Sequence, residues 1–268
     1  MKVTVFTSNQ PRHISLINKL TKVFGEVCAV VECTTVFPGE TDDFYKKTIV
    51  MQEYFKKVTE AEKKYFQYDG IKGASLVKPI KAGDLNHLNL SALSSYLNSD
   101  VYIIFGASYI KGDLCDFLVE NHALNIHMGV SPYYRGSGCN FWALYDNNPR
   151  LVGATIHKLS SGLDSGDIVS LAFPSYREDT NGFELGMAAV AAAQECVVEL
   201  ISNNDVRHIS GVRQDKKLEI RCSRYVDFTD DCVIEYQNML KSRTNRLSEE
   251  IKKSEIIFPD GIKLYNLN

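Results

Sequence analysis

With 268 residues, 44% of them hydrophobic and 24% charged, the chain has the composition of a globular protein, with mass for one large domain or for one domain and an appendage. A formal net charge of -3, from 30 Lys and Arg against 33 Asp and Glu, argues against a nucleic-acid partner. No run approaches the roughly 18 apolar residues of a membrane span, and the apolar part of MKVTVFTSNQ is too short for a signal peptide and reads as a first strand.

Val3 to Phe6 is a short apolar strand and Ser8 to His13 a polar turn. Ile14, Leu16, Ile17, Leu20 and Val23 then recur at helical spacing. Strand, turn and helix open a nucleotide-binding style of α/β fold, where a ligand often sits above the strand's carboxyl end. The turn lacks G-x-G-x-x-G and Walker patterns, so neither a dinucleotide nor a P-loop is expected. Arg12 and His13 either contact a phosphate-bearing substrate at the helix N-terminus or form a solvated cap. Val27 to Val36 reads as a second strand, broken by Phe37-Pro38-Gly39. From Asp42 to Tyr68, Phe44, Ile49, Met51, Tyr54, Phe55, Val58 and Ala61 predict a long amphipathic helix. Its lysine pairs are interspersed with Glu53, Glu60 and Glu62, which makes a solvated face rather than a nucleic-acid surface.

Leu76 to Ile80 predicts a short strand, Leu88 to Leu97 a helix and Asp100 to Phe105 a strongly apolar strand. The small residues of Gly106-Ala107-Ser108-Tyr109-Ile110 suit a tight strand-to-helix turn or the close approach of a ligand. Phe117 to Ala123 is a helix with His122 at its end.

The next stretch carries the chemistry. The apolar run Ala123, Leu124, Ile126 holds Asn125 and His127 two apart, on one face if the run is a strand. A loop on Ser131-Pro132 and Arg135-Gly136 follows, then a strand-like run from Leu151 to Leu159. The turn Gly162-Leu163-Asp164-Ser165-Gly166 presents one carboxylate. An amide, an imidazole and a carboxylate together suit proton transfer beside a developing oxyanion. His157 is expected to point away from this set or to reach only its edge. Phe141 and Trp142 read as core, Cys139 as a packed thiol, and Tyr133 and Tyr134 as core or as stacking surfaces for a base or sugar.

Val169 to Pro174 is the next strand, and Asp179-Thr180-Asn181 caps an Ala-rich helix from about Gly182 to Ser202. Beyond it, alternating stretches (Leu218 to Tyr225, Cys232 to Tyr236, Ile256 to Leu264) surround a polar helix near Ser242 to Lys253. The domain reading is a catalytic domain over 1–204 and a small α/β appendage over 205–268. Seven cysteines without a CxxC pair suggest reduced thiols in the cytoplasm, and neither a disulfide framework nor a zinc site.

Taken in order, Asn125-Ile126-His127, Pro132 to Gly136, Gly153-Ala154-Thr155-Ile156-His157 and Gly162 to Ile168 resemble the core signature of formyltransferases that use 10-formyltetrahydrofolate. That signature runs N-I-H-P-S-L-L-P-x-[YF]-x-G, then G-x-T-[IV]-H, then D-x-G-x-[IL], and the resemblance extends from about Val101 to Asn203. Met128-Gly129-Val130-Ser131 departs from it, standing where P-S-L-L is usual. The resemblance implies a Rossmann-like, three-layer α/β domain with a mostly parallel sheet. It also implies a catalytic set of Asn125 (oxyanion donor), His127 (acid/base) and Asp164 (orienting His127 or a water). Phe105, Gly106, Ala107, Ser108, Tyr109, Ile110 and Leu163 would hold the folate. Arg12, His13, Tyr133 and Arg135 would bind the acceptor, with no metal.

Among acceptors, glycinamide ribonucleotide is disfavoured by the missing G-x-G-S-N phosphate turn and by the added tail. Methionyl-tRNA is disfavoured by the lack of a basic C-terminal domain, and folate hydrolysis by a fold that starts at residue 1. The expected acceptor is therefore an amino sugar on a nucleotide carrier, with a homodimer as one role for the tail. A catalytically silent folate- or nucleotide-binding protein is the non-enzyme alternative, against which three intact catalytic positions speak.

Overall fold

The computed structural model describes residues 1–33, 47–67, 69–175, 177, 179–242, 247, 250–251, 258 and 261–266. The end of the expected second strand, the Phe37-Pro38-Gly39 break, the start and last residue of the expected 42–68 helix and most of the polar helix near Ser242 to Lys253 lie outside them, as do 256–257 and 259–260 of the last expected strand.

Among the described residues, ten strands and six α-helices follow one another along the chain. They are β1 (Lys2–Ser8), α1 (Pro11–Val23), β2 (Glu26–Cys33), α2 (Ile49–Tyr65), β3 (Leu76–Lys81), β4 (Val101–Phe105), α3 (Gly112–Glu120), β5 (Leu124–His127), β6 (Tyr134–Gly136), α4 (Cys139–Tyr145), β7 (Ala154–Lys158), β8 (Ile168–Phe173), α5 (Gly182–Asn203), β9 (Arg221–Ser223), α6 (Asp230–Ser242) and β10 (Lys263–Asn266). Eight strands form one sheet in the order β10-β8-β7-β5-β4-β1-β2-β3, while β6 and β9 pair apart. All pairings in the large sheet are parallel except those of β7, which runs antiparallel to β5 and β8. The mostly parallel α/β architecture agrees with the sequence reading.

Alternation divides each strand between two layers. Val3, Val5, Ile103, Leu124, Ile126, Ala154 and Ile156 face α1 and α5. Phe6, Val30, Tyr102 and Ile104 face the other side, with Leu85, Leu93 and α3. A third cluster joins Tyr54, Phe141, Trp142, Leu185 and Tyr236 from α2, α4, α5 and α6, which makes Phe141 and Trp142 core as expected.

Three expectations change. Leu88 to Leu97 is a short 3₁₀ turn over Leu90–Leu93, because serines and asparagines there compete for backbone groups: Asn89 caps the amide of Ala92. Cys232 to Tyr236 lies inside α6, where acidic Asp230 and Asp231 favour the helix N-terminus and Val233 and Tyr236 share its buried stripe. α5 is, by length and composition, apolar enough to cross a membrane, contrary to the reading of the sequence, yet 67% of that window is buried inside the fold. The expected cap at Asn181 accepts from the amides of Phe183 and Glu184.

Residues 205–268 add β10 to the edge of the main sheet, β9 beside β6, and α6 to the third cluster.

Candidate active site

In β5, Leu124 and Ile126 enter the core, so Asn125 and His127 face the opposite layer. Antiparallel pairing sets Asn125 against His157 and His127 against Thr155, placing all four side chains on one face. His157 is therefore a member of the set, not a residue at its edge. Ile156 packs inward, and the register turns its neighbour towards Asn125.

His157 Nδ1 lies 2.8 Å from the Lys158 carbonyl, which only accepts, so the proton resides on Nδ1. Nε2 is left to accept from the Asn125 amide nitrogen at 2.9 Å. That nitrogen also lies 3.5 Å from Asp164 Oδ1. His127 Nδ1 is 3.3 Å from Asp164 Oδ2, and its Nε2 is 3.1 Å from the Tyr134 carbonyl. Either neutral tautomer turns a lone pair toward one of these oxygens; the imidazolium satisfies both.

Burial, however, holds the His127 pKa below its ordinary value, with His157 and Arg135 acting the same way and Asp164 opposing them. Burial raises the carboxyl of Asp164, but His127, His157 and the Gly136 amide outweigh it and bring the pKa down to about 2. The site thus holds an ionised carboxylate beside a neutral imidazole, and the imidazolium formed by taking up a proton would donate to both facing oxygens.

The surrounding loops are pinned. The Thr155 hydroxyl accepts from Ser131 N at 2.8 Å and donates to the Gly129 carbonyl at 2.6 Å. A Cβ on Gly129 would come within 2.4 Å of Cys139 Cβ and 2.7 Å of His127 Nε2, so the departure from P-S-L-L places its glycine where only glycine fits. Asp164 itself has φ 44°, in the left-handed region. Its carboxylate accepts from Gly136 N at 3.2 Å. Arg135 donates through Nη2 to the Leu163 carbonyl at 2.5 Å and pairs with Glu219 at 3.0 Å.

The remaining expected site residues divide. Phe105 and Ile110 are buried, and the loop between them is held by Glu32, a buried carboxylate at the end of β2 that accepts from Gly83 N at 2.8 Å and Ser108 N at 2.5 Å. Ala107 packs on the layer beside α3. Gly106 has φ 70°, and the ring of His13 fills the space where its Cβ would lie. His13 also meets Phe105 edge-on with ring centroids 4.8 Å apart, and burial holds its pKa well below the ordinary value. The Tyr109 hydroxyl bonds the Ser161 carbonyl, and Tyr109 and Leu163, each 44% exposed, leave apolar surface beside the Asp164 turn. Tyr133 is half-buried, with Ile220 N at 2.9 Å and Arg221 N at 3.1 Å on its carbonyl. Arg12 neither stands as a solvated cap nor is left open to an anion: Glu62, 0% exposed, accepts from Arg12 Nη1 at 2.7 Å and from Arg12 N at 3.2 Å. A carboxylate of the chain itself occupies the N-terminus of α1.

Cys139 is a packed thiol, its pKa pushed up by burial, and all seven cysteines are free. Among the described residues, no group of three or more His, Cys, Asp or Glu side chains is placed to hold a metal ion. Besides His157, the sequence reading missed Gln214 and Glu62. Only the distant position of Gln214 and the assignment of Glu62 to a solvated face were legible there.

A 4-N formyltransferase from Francisella tularensis superposes with a TM-score of 0.56, at 16% identity, over 89% of this chain and 87% of that one. The chain has the formyltransferase fold. A formyltransferase from Anoxybacillus kamchatkensis, solved in complex with UDP-4,6-dideoxy-4-formamido-L-AltNAc and tetrahydrofolate, covers 95% of this chain and 100% of its own at 18% identity, with a TM-score of 0.51. In sequence, the methionyl-tRNA formyltransferase of Anaeromyxobacter sp. (strain K) is 28% identical over 144 residues, 54% of this chain and 45% of that one. The chain thus spans less than half the length of the curated relatives it matches. No protein-family model matches the chain.

Proposed function

We propose that this protein is a formyltransferase that moves the formyl group of 10-formyltetrahydrofolate to the primary amine of a nucleotide-linked amino sugar. The observation that carries the reading is the cluster in which His127 Nδ1 faces Asp164 while the Asn125 amide is aimed by His157. The co-substrate supplies an activated one-carbon group; the exposed faces of Tyr109 and Leu163 suit a flat apolar ring.

His127 takes the proton released by the attacking amine, and the Asp164 carboxylate facing its Nδ1 stabilises the imidazolium. Asn125 turns the N–H not held by His157 from its long 3.5 Å contact with Asp164 Oδ1 to the oxyanion that develops on the formyl oxygen. Loss of one such donor costs about 3–4 kcal/mol of barrier. Asp164 stays ionised throughout and never has to give up a proton itself. His127 then returns its proton to the departing nitrogen.

The similarity in fold to sugar N-formyltransferases over most of the chain supports the amino-sugar acceptor. Glu62 on Arg12 speaks against a substrate phosphate at the N-terminus of α1. The likeness to methionyl-tRNA formyltransferases favours a second reading, a tRNA-borne amine, against which the net charge of -3 weighs. A cytoplasmic location and a homodimer complete the proposal, the first supported by seven free thiols.

An acceptor screen tests it: dTDP-, UDP- and GDP-linked amino sugars, glycinamide ribonucleotide, methionyl-tRNA and water, followed by tetrahydrofolate release and acceptor mass. One added formyl group on an amino sugar is expected. Formylation of methionyl-tRNA alone would replace the acceptor, and turnover with water alone would make the protein a hydrolase.

A further inference from the structure

Beyond α5, in the part of the chain that the motif resemblance does not reach, the backbone turns back across the Asp164 turn. Val212 exchanges both backbone hydrogen bonds with Ile168, at 2.7 and 2.8 Å. Two residues later, the side-chain amide of Gln214 donates to the carbonyls of Asp164 and Gly166, each at 2.8 Å. Glu219 holds Arg135, which in turn grips the Leu163 carbonyl. One stretch of the tail therefore reaches three consecutive parts of the turn: directly at Asp164 and Gly166, and through Arg135 at Leu163.

The turn needs external support. Asp164 occupies a left-handed conformation that disfavours residues bearing a Cβ. At Gly166 an added Cβ would sit 1.7 Å from the Lys158 carbonyl, so the backbone there runs hard against β7. The carbonyls of Asp164 and Gly166 share a single nitrogen as partner, and Gln214 is the side chain that brings it.

We infer that Gln214 is a positioning residue for the active site: by donating to the carbonyls of Asp164 and Gly166 it fixes the turn so that the Asp164 carboxylate stays against His127 and Asn125. Its structural part stands on geometry alone, and its catalytic consequence rests on the formyl-transfer reading. The site is then completed by the tail, and a chain ending after α5 would lack the group that sets the distance from carboxylate to imidazole.

The test separates the two parts. Gln214→Met keeps the length and bulk of the side chain and removes both donated hydrogen bonds. The first readout is the titration of His127, followed by NMR of its ring nitrogens in the full chain, with Asp164→Asn as calibrator. The charged and titratable groups facing His127 are Asp164 on the turn, His157 on β7, Arg135 on β6 and the Cys139 thiol on α4. Of these Asp164 raises the His127 pKa, so releasing the carboxylate lowers the titration midpoint. Gln214→Met is expected to move it at least half as far as Asp164→Asn does. With the acceptor found in the screen, kcat falls about tenfold while KM for the formyl donor stays within about twofold. Should the methionine variant not fold, Gln214→Ala serves the same readouts. A folded variant with an unchanged His127 titration and unchanged kcat would overturn the inference. A Gln214→Met variant that shifts the His127 titration, alongside a wild-type protein that formylates no acceptor, would support the positioning role and sink the formyl-transfer reading.

Discussion

Asn125 and His157 face each other across the antiparallel pair β5–β7, amide nitrogen to imidazole Nε2 at 2.9 Å, and the Lys158 carbonyl holds the proton of His157 on the far nitrogen. The Asn125 amide is thereby aimed before any ligand arrives. His157→Phe, which removes the acceptor and keeps the ring, should lower kcat about tenfold with an unchanged fold by circular dichroism. Asn125→Ala, which removes the donor itself, should cost about 10²–10³ in kcat. Equal losses in the two variants would mean that His157 does more than orient the amide.

The pH profile follows from opposing effects on His127. Its pKa is lowered, so the imidazole is neutral across the neutral range and gains its proton only below the ordinary value near 6.5. Activity should be flat above that value and fall along a single acid limb lying below it. Asp164, ionised down to about 2, contributes nothing to that limb. Asp164→Asn should lower the plateau and move the limb further toward acid. A limb above the ordinary histidine value would contradict this assignment.

The same groups affect stability. A carboxyl depressed from 3.8 to about 2 stabilises the fold by on the order of 2 kcal/mol at pH values above its unfolded pKa, and this is lost as pH falls through the folded one. His127, with its pKa lowered, adds a loss that begins as pH drops below about 6.5. Urea unfolding between pH 7 and 3 should show wild type losing stability faster than a His127→Gln variant.

Arg12 gives a test of role. Glu62 is fully buried against it, so Arg12→Ala leaves a carboxylate without its charged partner and should cost about 3–5 kcal/mol in urea unfolding. Were Arg12 instead dedicated to a substrate phosphate, the variant would keep its stability and lose acceptor affinity.

Gly129→Ser, which restores the residue usual in the family signature, should reduce both stability and activity here. The new Cβ meets Cys139 and His127 at 2.4 and 2.7 Å, and such overpacking costs about 1–3 kcal/mol. A fully active, equally stable serine variant would show that the loop shifts freely.

Strand and helix periodicity foretold an α/β fold, the motif resemblance implied its mostly parallel sheet, and the run around Ile126 placed Asn125 and His127 on one face. Strand alternation is a property of the backbone alone, and the apolar partners Leu124 and Ile126 leave it one orientation. Ordered motifs likewise marked Asp164, and Asn181 announced the start of α5. Only the tertiary structure decided the company these residues keep. His157 joins Asn125 because of strand register, which no single strand encodes. Glu53 and Glu60 are exposed on the solvated helix face that periodicity predicts, yet Glu62 is buried against Arg12 of α1 and its carboxylate fills the anion position at that helix N-terminus. Gln214 stands 50 residues from Asp164 and meets it only because the tail folds back over the turn. Local preferences reach a few residues along the chain, whereas these contacts depend on which elements pack together, a choice made by the burial of whole surfaces.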